Sequence, residues 1–350
     1  MRWAKYFANK GHEVHLISFG ASSENTVENV NMHLLTMSHH PILRCYPIRI
    51  RRLIRKIDPD ILHAHYISGY GLLGALSGFH PFILSAWGSD VLVTAKESKM
   101  EKWSAKFAIK KADVLHCDAD HIMAPLMELG AKPEKINIVY FGVDTQRFRP
   151  MSEDNKLRNE LGLFDSPVII SLRNLEPIYD IETLINSIPL VLKEIPKAKF
   201  VVVGSGSQEV RLKEYAKSLA VSASVIFTGR IPNNEPPKYF NSADIYVSTS
   251  LSDAGLAAST AEAMACGLPV IITDFGDNRK WVKDGTNGFL IPLRNPEALA
   301  TKIIYLIRNK EIRNKFGQIN RQTIVERNDW QTEMGKVEKL YETSVKKNKK

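Results

Sequence analysis

The sequence predicts an α/β protein made of two doubly wound halves. Three observations carry this expectation. Short β-branched runs alternate with longer stretches of helical periodicity, the alternation restarts after a polar stretch near mid-chain, and 350 residues exceed the size at which one hydrophobic core stops growing. Such alternation means parallel strands joined by crossover helices. Hydrophobic residues make up 44% and charged residues 24% of the chain, a globular balance that lets each half build its own core.

The elements follow in order. Trp3, Tyr6 and Phe7 fall at i, i+3 and i+4 on a helix that Gly11 ends, and residues 14–19 follow as a strand. Residues 61–65 and 82–85 read as buried strands, with further strands at 113–116 and 136–139. Residues 150–157, charged and without β-branched side chains, mark a linker. The pattern then restarts with strands at 168–172, 200–204, 225–228, 245–248 and 269–273, and helices at 180–193, 209–219 and 257–265. The expected division is an N-terminal domain over 1–150, a second domain over 151–325, and a C-terminal helix with a basic tail over 326–350. A right-handed βαβ unit needs a strand before its helix, yet the first helix begins at residue 2. Either the chain is an N-terminally shortened form, or another segment takes that place in the sheet.

No apolar run approaches the roughly 20 residues of a bilayer span, and the first residues lack the apolar stretch of a secretory signal. A cytoplasmic location is expected. Cys45, Cys117 and Cys266 are widely spaced and odd in number, which argues against a disulfide framework or a thiolate metal site. The formal net charge of +9 asks for an anionic partner, with nucleic acid, anionic lipid and phosphorylated metabolites as candidates.

Two segments carry candidate chemistry. Gly204-Ser205-Gly206 lies between a strand and a helix, where backbone N–H groups and the helix start can meet a phosphate, or simply make a tight turn. Residues 248–270 place a strand end, a glycine-containing loop and one carboxylate, Glu262, on an otherwise small and apolar helix. Burying a carboxylate is costly unless it accepts hydrogen bonds, and paired ribose hydroxyls are suitable donors.

These segments bring out a resemblance to the retaining family-4 glycosyltransferases of GT-B fold, two Rossmann-like domains facing across a cleft. It covers nearly the whole chain. It rests on Gly11-His12-Glu13-Val14-His15, Pro59-Asp60-Ile61-Leu62-His63-Ala64-His65, Gly142-Val143-Asp144 with Phe148-Arg149-Pro150, Ala265-Cys266-Gly267-Leu268-Pro269-Val270, and Asp284-Gly285-Thr286-Asn287-Gly288-Phe289. The resemblance implies transfer of a sugar, with retention of configuration, from a nucleotide diphosphate sugar to a saccharide or lipid-linked acceptor, in glycan, glycolipid or cell-surface polysaccharide synthesis. It implies no catalytic metal, no cofactor and no nucleic acid partner. By the same resemblance Glu262 holds the donor ribose and Arg173 the diphosphate, while Ile231 receives the base. Gly204, Gly255 and Leu256 lie along the diphosphate. A guanidinium suits that place on its own chemistry, because charge grows on the diphosphate as the sugar departs. The rival use of Arg173 is to bridge a surface carboxylate such as Glu176.

The chain departs from the family pattern at four places. Ala254 stands where an acidic residue usually faces the sugar, so Asp253 is expected to substitute. The lysine that accompanies the arginine is missing, leaving Arg279 or Lys280 as a second cation. Trp87 replaces a common histidine and, with Asp90 and His65, is assigned to the acceptor side. The first strand with its glycine-rich loop is absent. His63 and His65 share one strand face, but no third ligand accompanies them. Two basic amphipathic stretches, residues 44–56 and the stripe Lys99, Lys102, Lys106 and Lys110 beside Trp103 and Phe107, suggest contact with an anionic membrane at its inner face, or else ordinary solvated helices. A sugar-nucleotide epimerase of the same fold and a catalytically impaired binding protein are the competing functions.

Overall fold

The computed structural model describes residues 2–19, 28–35, 46–151, 155–253 and 255–348. Arg44, Cys45, Ala254, the centre of the expected linker at 152–154 and the last two lysines of the tail lie outside them. By its contacts the chain forms two units, residues 1–58 and 59–350.

The first unit holds the helix Arg2–Asn9, strand β1 (Val14–Phe19), strand β2 (Val30–Leu35) and the helix Tyr46–Ile57. The two strands pair in parallel, Val14 opposite Val30. The second was not foreseen, because its sequence VNMHLL carries a single β-branched residue. Phe7, Ile50 and Ile54 are buried, as the helical spacing of apolar residues requires.

The second unit holds two parallel sheets. Strands β3 (Leu62–His65), β4 (Phe82–Ala86), β5 (Val114–Cys117) and β6 (Ile136–Ile138) are ordered 3-4-5-6. Leu84 and Leu115 pack with Ala105, Ala108 and Ile109 of the helix Lys99–Lys111. Beyond the linker come β7 (Val168–Leu172), β8 (Lys199–Val203), β9 (Val225–Gly229), β10 (Ile245–Ser248), β11 (Val270–Thr273) and β12 (Gly288–Ile291).

These six strands are all parallel and ordered 9-8-7-10-11-12. The winding direction reverses between β7 and β10, as in the dinucleotide-binding order, and ligands bind such sheets at that reversal. Both faces are covered. Ile169, Phe200, Val202, Ile245 and Ile271 enter one apolar cluster, while their neighbours Ile170, Val201, Val203, Tyr246 and Ile272 enter the other. The period of two sends successive side chains to opposite faces, so near-continuous apolar runs mark strands buried on both sides.

The chain crosses between the two sheets twice at one seam. Val143 N–H donates to Asn328 O at 2.8 Å, and Trp330 N–H donates to Val143 O at 2.8 Å. The carboxylate of Glu333, 1% exposed, accepts from Tyr140 N–H at 2.9 Å. The helix Trp330–Asn348 then runs along the β3–β6 half, where Asn348 donates to His80 O at 3.0 Å. Among the described residues no helix is long and apolar enough to cross a membrane.

Candidate active site

Arg173 is the first residue after β7 and stands at the switch point. Its side chain, 9% exposed, contacts the carboxylate of Asp253 in the loop after β10, and its Nη2 donates to Ser250 Oγ at 3.4 Å. The guanidinium lies over the Tyr179 ring at 4.2 Å, and its buried Nε has no partner. Burial alone would lower the guanidinium pKa, but Asp253 and the phenols of Tyr246 and Tyr179 outweigh it and hold the pKa above the usual arginine value. Arg173 therefore stays charged in a place screened from water. Glu176, its conceivable surface partner, is spent elsewhere, accepting from Ser207 N–H at 2.9 Å and Ser207 Oγ at 2.5 Å.

The loop that carries Arg173 is fixed from β8. Gly204 has φ +138°, and a Cβ there would lie 2.1 Å from Arg173 O, so only glycine lets the two strand ends meet this closely. Arg173 N–H donates to Val203 O at 3.1 Å and Leu175 N–H to Ser205 O at 3.0 Å. Ile231, two residues past β9, packs half-buried against the same core cluster.

The loop after β10 is tied down as firmly. Thr249 Oγ1 donates to Asp180 O at 2.8 Å and Thr273 Oγ1 to Ser250 O at 2.6 Å. The following helix, Ala258–Ala265, starts two positions beyond Leu256, so Gly255 and Leu256 belong to the loop. Ser259 meets the buried Tyr246 hydroxyl at 2.8 Å, and Glu262, half-buried, stands one turn further along. Asp253 is engaged by Arg173, so its carboxylate orients the guanidinium. Burial pushes that carboxyl above its ordinary value, with Arg173 opposing. The two cations considered as helpers also have partners: Arg279 pairs with Asp274 and Lys280 with Asp120. The Asp284–Phe289 motif is a structural turn. Asn287 donates to Trp281 O and to Asn320 Oδ1, both at 2.9 Å, and Asp284 accepts from Leu290 N–H at 2.9 Å.

On the opposite sheet, Trp87 and His65 stack at 5.7 Å, and His65 stacks on His63 at 4.3 Å. Asp90 is 0% exposed and accepts from Ile67 N–H at 2.8 Å and Trp87 N–H at 3.0 Å, so it ties the loops after β3 and β4 together. Beneath them runs a polar chain whose direction follows from its last acceptor. His116 Nε2 must donate to Val139 O (3.0 Å), so Nδ1 accepts from Ser85 (2.7 Å), Ser85 accepts from His63 Nε2 (2.7 Å), and Tyr341 donates to His63 Nδ1 (2.6 Å). Burial lowers His116 and His65 to about 4 and holds His63 well below the usual range, so all three rings are neutral at pH 7.

The two sheets meet at a group the sequence did not single out. Asp277 accepts from Asp120 N–H at 2.6 Å and from His121 N–H at 3.3 Å. Gly255 abuts the end of β5, where a Cβ would lie 3.1 Å from Asp118 O. Asp118 Oδ1 and both ring nitrogens of His121 are buried without hydrogen-bond partners. No spacing rule marks these residues, because their significance lies in which partners the fold withholds.

Comparison with known proteins fits this geometry. Residues 153–323 match the model "Glycosyl transferases group 1", and residues 1–119 match "Glycosyl transferase 4-like". EpsD of Bacillus subtilis (strain 168) is 29% identical over 91% of this chain and 86% of its own. The GDP-mannose-dependent alpha-(1-6)-phosphatidylinositol monomannoside mannosyltransferase of Mycolicibacterium smegmatis (strain ATCC 700084 / mc(2)155) is 29% identical over 83% of this chain and 78% of its own. The crystal structure of Anabaena Alr3699/HepE in complex with UDP superposes with TM-score 0.85 at 19% identity, covering 97% of this chain and 94% of that one. Two family models over residues 1–119 and 153–323, and a fold shared along the chain with a solved structure, make this protein a member of the group 1 glycosyltransferases with the GT-B fold.

Proposed function

We propose that the protein transfers a sugar from a nucleotide diphosphate donor to a saccharide or lipid-linked acceptor, retaining the anomeric configuration. The observation that carries the reading is the charged, water-screened Arg173 at the sheet's switch point, one nitrogen still without a partner. In the reaction the bond from the sugar C1 to the diphosphate breaks, its electron pair passes to the phosphate oxygen, and the acceptor oxygen bonds to C1 as its proton passes to the departing diphosphate. Arg173 stabilises the growing phosphate charge, with the loop around Gly255 and Leu256 beside it and Glu262 on the ribose. A resident cation in that place is consistent with transfer that needs no metal. The names of similar proteins support a nucleotide sugar donor, UDP in one and GDP-mannose in another.

A lipid-linked acceptor accords with the helix Lys99–Lys111. Lys99, Lys102, Lys106 and Lys110 flank Trp103, 57% exposed, and Met100, 72% exposed, while Ala105, Ala108 and Ile109 face the core. An anionic surface would attract such a face by about 1 kcal/mol per lysine. The deciding experiment incubates the protein with UDP- and GDP-sugars and an extract of lipid-linked saccharides, then assigns the product anomer by NMR. An inverted product would sink the retaining mechanism, and absence of transfer from every donor would sink the activity.

A further inference from the structure

The group where the two sheets meet holds more unsatisfied polarity than the fold itself uses. Asp118 ends β5. Although part of the residue reaches solvent, its Oδ1 is shut off and has no partner, and the same holds for Nδ1 and Nε2 of His121 three positions on. His121 Nδ1 comes within 3.4 Å of Asp277 Oδ1 without the alignment of a hydrogen bond. Buried polar atoms in folded proteins are nearly always paired, so three such atoms within four residues of the chain ask for a ligand.

The place is adjacent to the loop after β10, whose Asp253 contacts Arg173. Gly276 is wedged there, and a Cβ on it would lie 3.3 Å from His121 Nε2 and 3.2 Å from Asp253 O. Gly255 touches Asp118 and Ala119 from the other side. The surrounding carboxylates are already committed. Asp90 is held by two backbone N–H groups, Asp277 by two more with Lys280 nearby, and Asp253 by Arg173. Only Asp118, among the described carboxylates of this group, keeps an oxygen without a partner. Burial, with the charges of Asp90 and Asp277 adding to it, pushes its carboxyl up to about 7.

The chemistry of the vacant partners selects the ligand class. A cation would find a single free carboxylate oxygen and, among the described residues, no group of three acidic, histidine or cysteine side chains. A sugar hydroxyl both donates and accepts. Asp118 Oδ1 takes its proton, and the two ring nitrogens of His121 can bond the same or the adjacent hydroxyl. We propose that Asp118 and His121 read a hydroxyl of the transferred sugar and so set donor specificity. This rests on the reading that the donor diphosphate lies against Arg173.

The test is calorimetric, with UDP, GDP, UDP-glucose and GDP-mannose as probes. Asp118→Asn and His121→Phe should leave the Kd of the bound nucleoside diphosphate within about twofold and weaken the matching nucleotide sugar about tenfold or more, as loss of a hydrogen bond to a charged or buried group predicts. Equal weakening of both ligands, or of neither, overturns the proposal and leaves the transferase reading intact. A wild-type protein that binds no nucleoside diphosphate takes both down. Single-deoxy analogues of the bound sugar nucleotide, tested on the wild type, give an answer independent of how the variants fold. One of them must lose about tenfold in affinity, and a series that binds uniformly overturns the proposal.

Discussion

Arg173 is held by three neighbours: Nη2 donates to both Asp253 and Ser250, and Tyr179 covers the planar face. Lysine keeps the charge but neither the fork nor the stacking. Arg173→Lys should therefore lower kcat by about 10²- to 10³-fold with a smaller change in KM, measured by steady-state transfer, as for loss of a donor that acts mainly in the transition state. Asp118 makes a prediction about stability. Its folded-state pKa is raised, so its contribution favours folding below pH 4 and is lost as pH rises through about 7. Asp118→Asn should thus stabilise the protein by up to about 4 kcal/mol at pH 8 and by almost nothing at pH 4, read from denaturant titrations at both values. Glu262 was visible in the sequence because it carries a charge onto an otherwise small, apolar helix, and Arg173 was found through the family resemblance. Asp118 and His121 were not, since an orphaned oxygen is defined by what the fold fails to place beside it. Asp253 was assigned to the sugar from its place one residue before Ala254; in the structure its carboxylate contacts Arg173.

The strands that alternate β-branched residues with turn glycines sat where the sequence pattern put them, and 168–172, 225–228 and 245–248 agree with the structure to within one residue. Two strands escaped. Val30–Leu35 has polar Asn31 and His33 in place of an apolar run, and Gly288–Ile291 is four residues long behind a turn whose asparagine and aspartate read as loop chemistry. That turn holds three elements through Asn320, which is 0% exposed and donates to Leu268 O at 2.8 Å while accepting from Asn287. Asn320→Leu strands both partners in the core. The expected loss is about 2–3 kcal/mol, seen as a lower denaturation midpoint with an unchanged m-value.

Across the whole chain, the net charge of +9 and the neutral buried histidines set how the protein responds to its surroundings. The folded-state pKa values of His116 and His65, about 4, lie below the usual value of 6.5. Their contribution to stability is therefore present above pH 6.5 and is lost as pH falls toward 4. For His116 alone the loss is about 3 kcal/mol, and His116→Gln should flatten the acid limb of the unfolding curve. The basic helix predicts flotation with phosphatidylglycerol vesicles but not with phosphatidylcholine, abolished by charge reversal of Lys99, Lys102 and Lys106. The lysine stripe beside Trp103 was legible in the sequence, whereas the acid response was not, because it depends on which histidines end up enclosed. The seam at Val143 and Asn328 has a mechanical corollary. Two covalent crossings laced together at one seam predict that the sheets turn about that line and do not slide along it. A cross-link placed at the seam should leave turnover untouched, whereas one joining residues 119 and 255 would lock the jaw and halt it.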